Sequence, residues 1–277
     1  KETITEALSE LKADLSRVKF HFFRTNDAWC RDHGPAFVLK ANQKALVNWD
    51  YNAWGGKYPC ELDNLIPLKI AEEMNLEVFH PHIVMEGGSI DVNGCGTLLT
   101  TTACLLNPNR NPLLSQGEIE EKLCQYYNVD KVIWLGEGIE GDDTDGHVDD
   151  ITRFVNPTTV VTVVEENKND ANYQVLQDNL SLLKTARLQD GKQLDIVELP
   201  MPSAVVWDDM RLPASYANFY IANKAVIVPT YRCDNDEKAL CILESLFPDR
   251  KIVGIDSTDI IWGLGSFHCL SQQEPSL

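Results

Sequence analysis

Cys269, His147 and Asp149 are the residues of this chain whose types could carry covalent chemistry. Cys269 lies in GLGSFHCLSQQEP, after a glycine-rich turn and a Ser-Phe-His run, with polar Ser271, Gln272 and Gln273 directly behind it. A lone cysteine is ordinarily a small buried hydrophobe. Its partners lie 122 residues upstream in DTDGHVDD, where His147 and Asp149 stand two apart. That spacing lets both side chains project to one side of an extended strand. A cysteine, a histidine and a carboxylate far apart in sequence suggest an assembled nucleophilic site.

Other polar segments supply candidates for a pocket. TNDAWCRDHGP offers Trp29 and Asp32, while Asp27 and Arg31 are equally explained by a solvated turn. In HIVMEGGSI, Glu86 stands between an apolar run and Gly87-Gly88, as a pocket or a bulge residue. An acidic loop of Asp142, Asp143 and Asp145 precedes His147. RLPASYANFYI shows no nucleophile or base, and packing explains its Tyr216 and Asn218 as well as a pocket does.

These segments recur in a fixed order. Apolar residues at three- and four-residue spacing predict helices over 1–17, 61–75, 115–128, 170–187 and 235–246. Each is followed by a β-rich stretch: VKFHFF, EVFHPHIV, KVIWLG, LDIVELP and KIVGID. A polar stretch follows each strand, and four of the five then lead into an apolar pair split by a turn: AFVLK-ANQ-KALVNW, SIDV-NGCG-TLLTTT, ITRFV-NPT-TVVTVV and NFYI-ANK-AVIVPT. Asn-Gly and Asn-Pro give these pairs the turn chemistry of hairpins. Asp32, Glu86, His147, Ser215 and Cys269 mark the polar stretches at separations of 54, 61, 68 and 54 residues, a repeat architecture.

Repeats that cannot bury their apolar faces alone would close into a ring, predicting a pseudo-fivefold α/β propeller with its first or last blade incomplete in this chain. The ring would gather the polar loops into one pocket. An open α/β sheet covered by helices on both faces is the alternative.

Composition narrows the partners. The 277 residues carry 42 Asp and Glu against 24 Lys and Arg, a formal net charge of -18, which argues against nucleic acid or an anionic membrane and favours a small cation. Eight cysteines without a CxxC pair or zinc-ligand spacing read as reduced thiols in a cytoplasmic protein, with no structural metal. No signal peptide or long apolar run is present, and homo-oligomerisation is left open by the sequence.

Six ordered motifs, TNDAWCRDHGP, EGGSI, LLNPNRNP, GHVDD, LPASYANFYI and GSFHCLSQQEP, resemble those of the agmatine deiminase family, related to the bacterial peptidylarginine deiminases within the guanidino-modifying superfamily. The resemblance spans nearly the whole chain. It implies the five-bladed, pentein-type propeller and carries Asp32, His147, Asp149 and Cys269 onto catalytic positions, with Trp29 and Glu86 lining the substrate pocket. Family members ordinarily have several dozen residues before the first helix, so residues upstream of Lys1 are expected to be missing and 1–277 to form a single catalytic domain.

The chemistry follows from the substrate class. Two carboxylates, Asp32 and Asp149, would hold a planar guanidinium by bidentate charge-assisted hydrogen bonds. Cys269 would attack its carbon, and His147 would protonate the departing ammonia and then activate water against the amidino-cysteine. No metal or organic cofactor is needed. Agmatine carries an ammonium tail, for which Asp143, Glu86 and Trp29 are better suited than for a carboxylate. The rivals are a peptidylarginine deiminase or amidinotransferase on the same scaffold, and a silent ring that binds polyamines.

Overall fold

Every apolar hairpin read in the sequence forms, and each is joined through a helix to a third strand. The structure, a computed structural model, describes residues 2–276. Strands β1 (Ala36–Lys40), β2 (Gln43–Val47) and β3 (Glu77–Phe79) make the first sheet, and β4 (Asp91–Val92), β5 (Thr97–Thr101) and β6 (Lys131–Leu135) the second. The third holds β7 (Thr152–Phe154), β8 (Thr159–Val164) and β9 (Asp195–Pro200). A two-stranded ribbon of β10 (Val206–Trp207) and β11 (Met210–Arg211) precedes the last sheet, β12 (Tyr220–Ile221), β13 (Ala225–Thr230) and β14 (Lys251–Asp256). The class is therefore α/β.

In each three-stranded sheet the hairpin is antiparallel and the third strand adds in parallel to its second member. Parallel pairing requires a crossover, and a helix supplies it each time: Ile66–Met74, Gln116–Tyr127, Asn172–Thr185 and Asn235–Leu246. The repeat boundary thus differs from the sequence reading, which groups each strand with the hairpin after it. The strand instead pairs with the hairpin before it, because the crossover helix returns the chain to that sheet while the polar loop after the strand leaves it.

Local chemistry explains the helix ends. Ser115 and Glu118 form a reciprocal capping box at the start of Gln116–Tyr127. Asn75 and Asn128 close two helices in the left-handed conformation that asparagine tolerates. Buried Ile119 with Leu123, Leu176 with Leu180 and Leu183, and Ala239 with Leu243 give the helices their inward stripes. Strands β5 and β8 are buried along their whole length, as expected of central strands covered on both faces.

The first segment departs from expectation. The helix over 1–17 is limited to Glu2–Glu10 and a 3-10 turn at Leu15–Arg17, with Lys12 in the left-handed region between them. Residues 18–23, expected as a strand, lie outside the strand ladders. Ring stacking of Phe20 on Phe22 and of His21 on Phe23 nevertheless marks alternate side chains on common sides of this segment. Among the described residues no helix is long and apolar enough to cross a membrane.

Candidate functional site

Five loops converge, each placed where the sheets end. The helical turn Cys30–His33 precedes β1, residues 86–89 lie between β3 and β4, and residues 147–150 between β6 and β7. Residues 215–218 lead into β12, and 266–269 follow β14. Hydrogen bonds stitch the loops together. Arg31 N donates to Cys269 O at 3.0 Å, Gly88 N to Asp32 Oδ1 at 2.9 Å, and Ser215 Oγ to Asp150 O at 2.7 Å. His268 N donates to Asn218 Oδ1 at 3.1 Å, and the turn Gly87–Ser89 packs on Val148–Asp150.

The four residues expected to react are brought together and buried, with Cys269 7% exposed, Asp32 6%, His147 1% and Asp149 0%. Cys269 Sγ lies 3.7 Å from Asp149 Oδ2, and His147 Nδ1 lies 3.6 Å from Asp32 Oδ1. Gly88 sits between them: a Cβ there would fall 2.6 Å from His147 Nδ1, 2.7 Å from Asp32 Oδ1 and 3.1 Å from Asp149 Oδ2. Only glycine leaves that space open. Both ring nitrogens of His147 and Asp149 Oδ1 are buried without a hydrogen-bond partner. Polar atoms left unpaired in this way point to a polar ligand between them.

Burial pushes the Cys269 thiol well above its ordinary value, and Asp149, Asp150 and Asp32 push it further. Burial works against the His147 imidazolium, but Asp32, Glu86, Asp149 and Asp142 outweigh it and hold this histidine above the ordinary value. His268 goes the other way, driven well down by burial and by the charges of Arg153, Arg31 and His147. Burial also raises Asp149, against the pull of His147, and raises Asp150 with help from Asp149 and Asp142. The resting cluster is therefore crowded with acids and poor in cations. A bound cation would relieve it.

The expected pocket residues separate. Trp29 lies against the nucleophile loop, its ring so close to Gly263 and Gly265 that a Cβ at either would fall 2.7 Å from ring carbons. This is the physical reason for the Gly-Leu-Gly run. Glu86 is fully buried and bound to Arg110, whose Nε donates to Oε1 at 2.6 Å. Asp143 is half-exposed, 2.8 Å from the Tyr58 hydroxyl and 3.4 Å from Lys57 Nζ. It sits outside the buried cluster.

Several contributors escaped the sequence reading. Asn218 Nδ2 donates to Cys269 Sγ at 3.0 Å and to Asp150 Oδ1 at 3.0 Å, so an amide that looked like packing holds the sulfur. His268 Nδ1 lies 2.6 Å from Asp149 Oδ2. Trp54 Nε1 donates to Asp32 Oδ2 at 2.9 Å. Trp54 lies outside the repeating polar stretches, and its backbone, at φ 55, is in the left-handed region that a bulky residue rarely adopts. The adjacent Gly55-Gly56 was the available signal.

Glu86, Cys104 and His147 bring one ligand atom each within 4.8 Å of one another, a donor set of the kind metals use. The Arg110 guanidinium against Glu86 places a positive charge there already. A metal cation fits that arrangement poorly.

The comparisons with known proteins agree with one another. A curated relative from Legionella pneumophila, named a putative agmatine deiminase, is 42% identical over 253 residues, covering 90% of this chain and 73% of that protein. The solved agmatine deiminase of Enterococcus faecalis superposes with a TM-score of 0.87 at 39% identity, over 91% of this chain and 76% of its own. A cysteine-to-serine variant of C. jejuni agmatine deiminase with substrate bound gives 0.88 at 36% identity, over 96% and 79%. The family model for Porphyromonas-type peptidyl-arginine deiminase matches residues 1–275, and the chain belongs to that family.

Proposed function

We propose that this chain is an agmatine deiminase, converting agmatine and water to N-carbamoylputrescine and ammonia through an amidino-cysteine. The observation that carries this is the buried, unpaired Oδ1 of Asp149, whose other oxygen lies 3.7 Å from Cys269 Sγ, together with the bare ring nitrogens of His147. A guanidinium offers that cluster N–H donors and positive charge together.

Asp149 and Asp32 grip the N–H edges, with Trp54 and Gly88 N fixing the Asp32 carboxylate. The bound cation offsets the aspartates that keep the thiol protonated, so the thiol gives up its proton to solvent water on binding and the nucleophile is activated by its own substrate. Cys269 Sγ forms a bond to the guanidinium carbon, and Asn218 Nδ2 steadies the sulfur. His147, whose protonated form the surrounding carboxylates of Asp32, Glu86 and Asp149 favour, gives its proton to the leaving nitrogen as that C–N bond breaks. Neutral His147 then takes a proton from water and the oxygen bonds to carbon; the C–S bond breaks as the hydroxyl proton passes to the departing sulfur, which restores the thiol and releases the ureido product. Asp143, outside the buried cluster, receives the ammonium tail, while Glu86 held by Arg110 and Trp29 packed on the nucleophile loop support the pocket from behind. Lys57 meets Asp143 and Asp145 while Arg110 meets Asp145 and Glu86, so two cations face three carboxylates on that side.

The five hydrogen-bonded loops support a pseudo-fivefold propeller formed by one catalytic domain over 1–277. Eight free thiols support a reducing, cytoplasmic setting.

Ammonia release with agmatine should far exceed that with arginine or a peptidylarginine, since each of these presents a carboxyl or amide group to the acidic mouth. Equal or reversed ranking in steady-state assays removes the substrate assignment. Gly88→Ala should lower kcat/KM by about a hundredfold, because displacing reacting groups by ~1 Å carries a loss of that order. Wild-type kinetics in a variant with an unchanged circular dichroism spectrum would show that the three side chains have room to move.

A further inference from the structure

A cavity of about 360 Å³ opens beside the cluster, lined by Arg31, Arg153, His268, Gln272 and Gln273 together with Asp91 and apolar or aromatic neighbours. Neither Cys269, His147, Asp32 nor Asp149 is among its lining residues. We propose that this cavity binds a small oxyanion, a carboxylate or a phosphate, between the guanidinium groups of Arg31 and Arg153.

The charge in the cavity walls is unbalanced. Asp91 is the sole carboxylate among the described lining residues, and its oxygens are already engaged, Oδ1 by Arg153 Nε at 3.0 Å and Oδ2 by Phe154 N at 2.6 Å. Arg153 Nη1 is spent on the carbonyls of Ala217 and Phe219 at 3.1 and 3.0 Å. Among the described residues Arg31, 4% exposed, has only neutral acceptors in contact: His268 O from Nε at 3.3 Å and Gln273 Oε1 from Nη1 at 2.6 Å. Its Nη2 is buried with no partner. A buried cation without an anion in contact is unfavourable, and Arg31 Nη2 is the nitrogen whose N–H groups are left to take up an oxyanion. The exposed amide of Gln273 stands where an entering anion would meet Arg31 Nη1. Burial and the neighbouring Arg153 charge both weaken the hold of Arg31 on its proton, a tension that an anion relieves.

The site reaches the nucleophile loop through Arg31 N to Cys269 O at 3.0 Å, through Arg31 Nε to His268 O, and through His268 of its own lining, whose Nδ1 lies 2.6 Å from Asp149 Oδ2.

Calorimetric titration of the chain with sodium phosphate and, separately, sodium acetate at constant ionic strength tests the proposal. Saturable binding of at least one anion to the wild type is expected. Gln273→Glu, which places a carboxylate on Arg31 Nη1, should weaken it by about tenfold or more, the loss of one charge-assisted contact. Ammonia release by that variant should stay at the wild-type level. Absence of saturable heat with both anions overturns the proposal, as does equal affinity in wild type and Gln273→Glu.

Discussion

Cys269→Ser should abolish turnover, lowering kcat by about a thousandfold or more, while leaving the fold intact. Serine is close in size, and the loop that holds position 269 is fixed from outside the side chain: Arg31 N bonds its carbonyl and Asn218 Oδ1 accepts from its amide at 3.3 Å. The hydroxyl, however, is not appreciably ionised, and three aspartates oppose its ionisation as they oppose that of the thiol. An ammonia assay beside circular dichroism reads both halves. Acid-quenched wild type in turnover should carry an amidino adduct on Cys269, seen by mass spectrometry. Retained activity in the serine variant, or no adduct under turnover, would remove Cys269 as the nucleophile.

Arg110→Met should destabilise the protein by about 3–5 kcal/mol, because it strips the partner from a fully buried carboxylate. The deficit should depend on pH in a definite sense. Burial already raises the Glu86 carboxyl above its ordinary value against the pull of Arg110, and removing Arg110 raises it further. A folded-state value above the unfolded one means that the native state binds more protons in that interval. The variant should therefore recover stability as pH falls from about 7 toward about 5, as Glu86 is neutralised. Denaturant melts at both pH values measure it. A deficit that stays constant or grows on acidification would mean that Glu86 is not the group left uncompensated.

Much of this molecule was legible in its sequence, and what escaped has a common cause. Helices such as Asn235–Leu246 and hairpins such as β8 with its partner β7 follow from spacing and turn residues, because those patterns are local. The separation of marker residues pointed to one centre for Asp32, Glu86, His147 and Cys269, since a repeat places the same loop of each unit alike. Partner choice was not legible. Nothing in KVIWLG says whether it pairs with the hairpin before it or after it, and nothing in LLNPNRNP says that Arg110 answers Glu86. Asn218 likewise reads equally as packing or pocket until its amide is seen between Cys269 Sγ and Asp150.

The bond from Arg31 N to Cys269 O joins loops 238 positions apart in the chain. Contacts of such separation carry a large loop-closure entropy and form late in folding. The sulfur therefore acquires its setting only when the rest of the chain is in place, and a partly folded molecule has a thiol without a centre. Recovery of activity on refolding would accordingly lag behind recovery of helix, and inactivation would precede gross melting. Chemical competence here is a late property of the whole chain rather than of any segment.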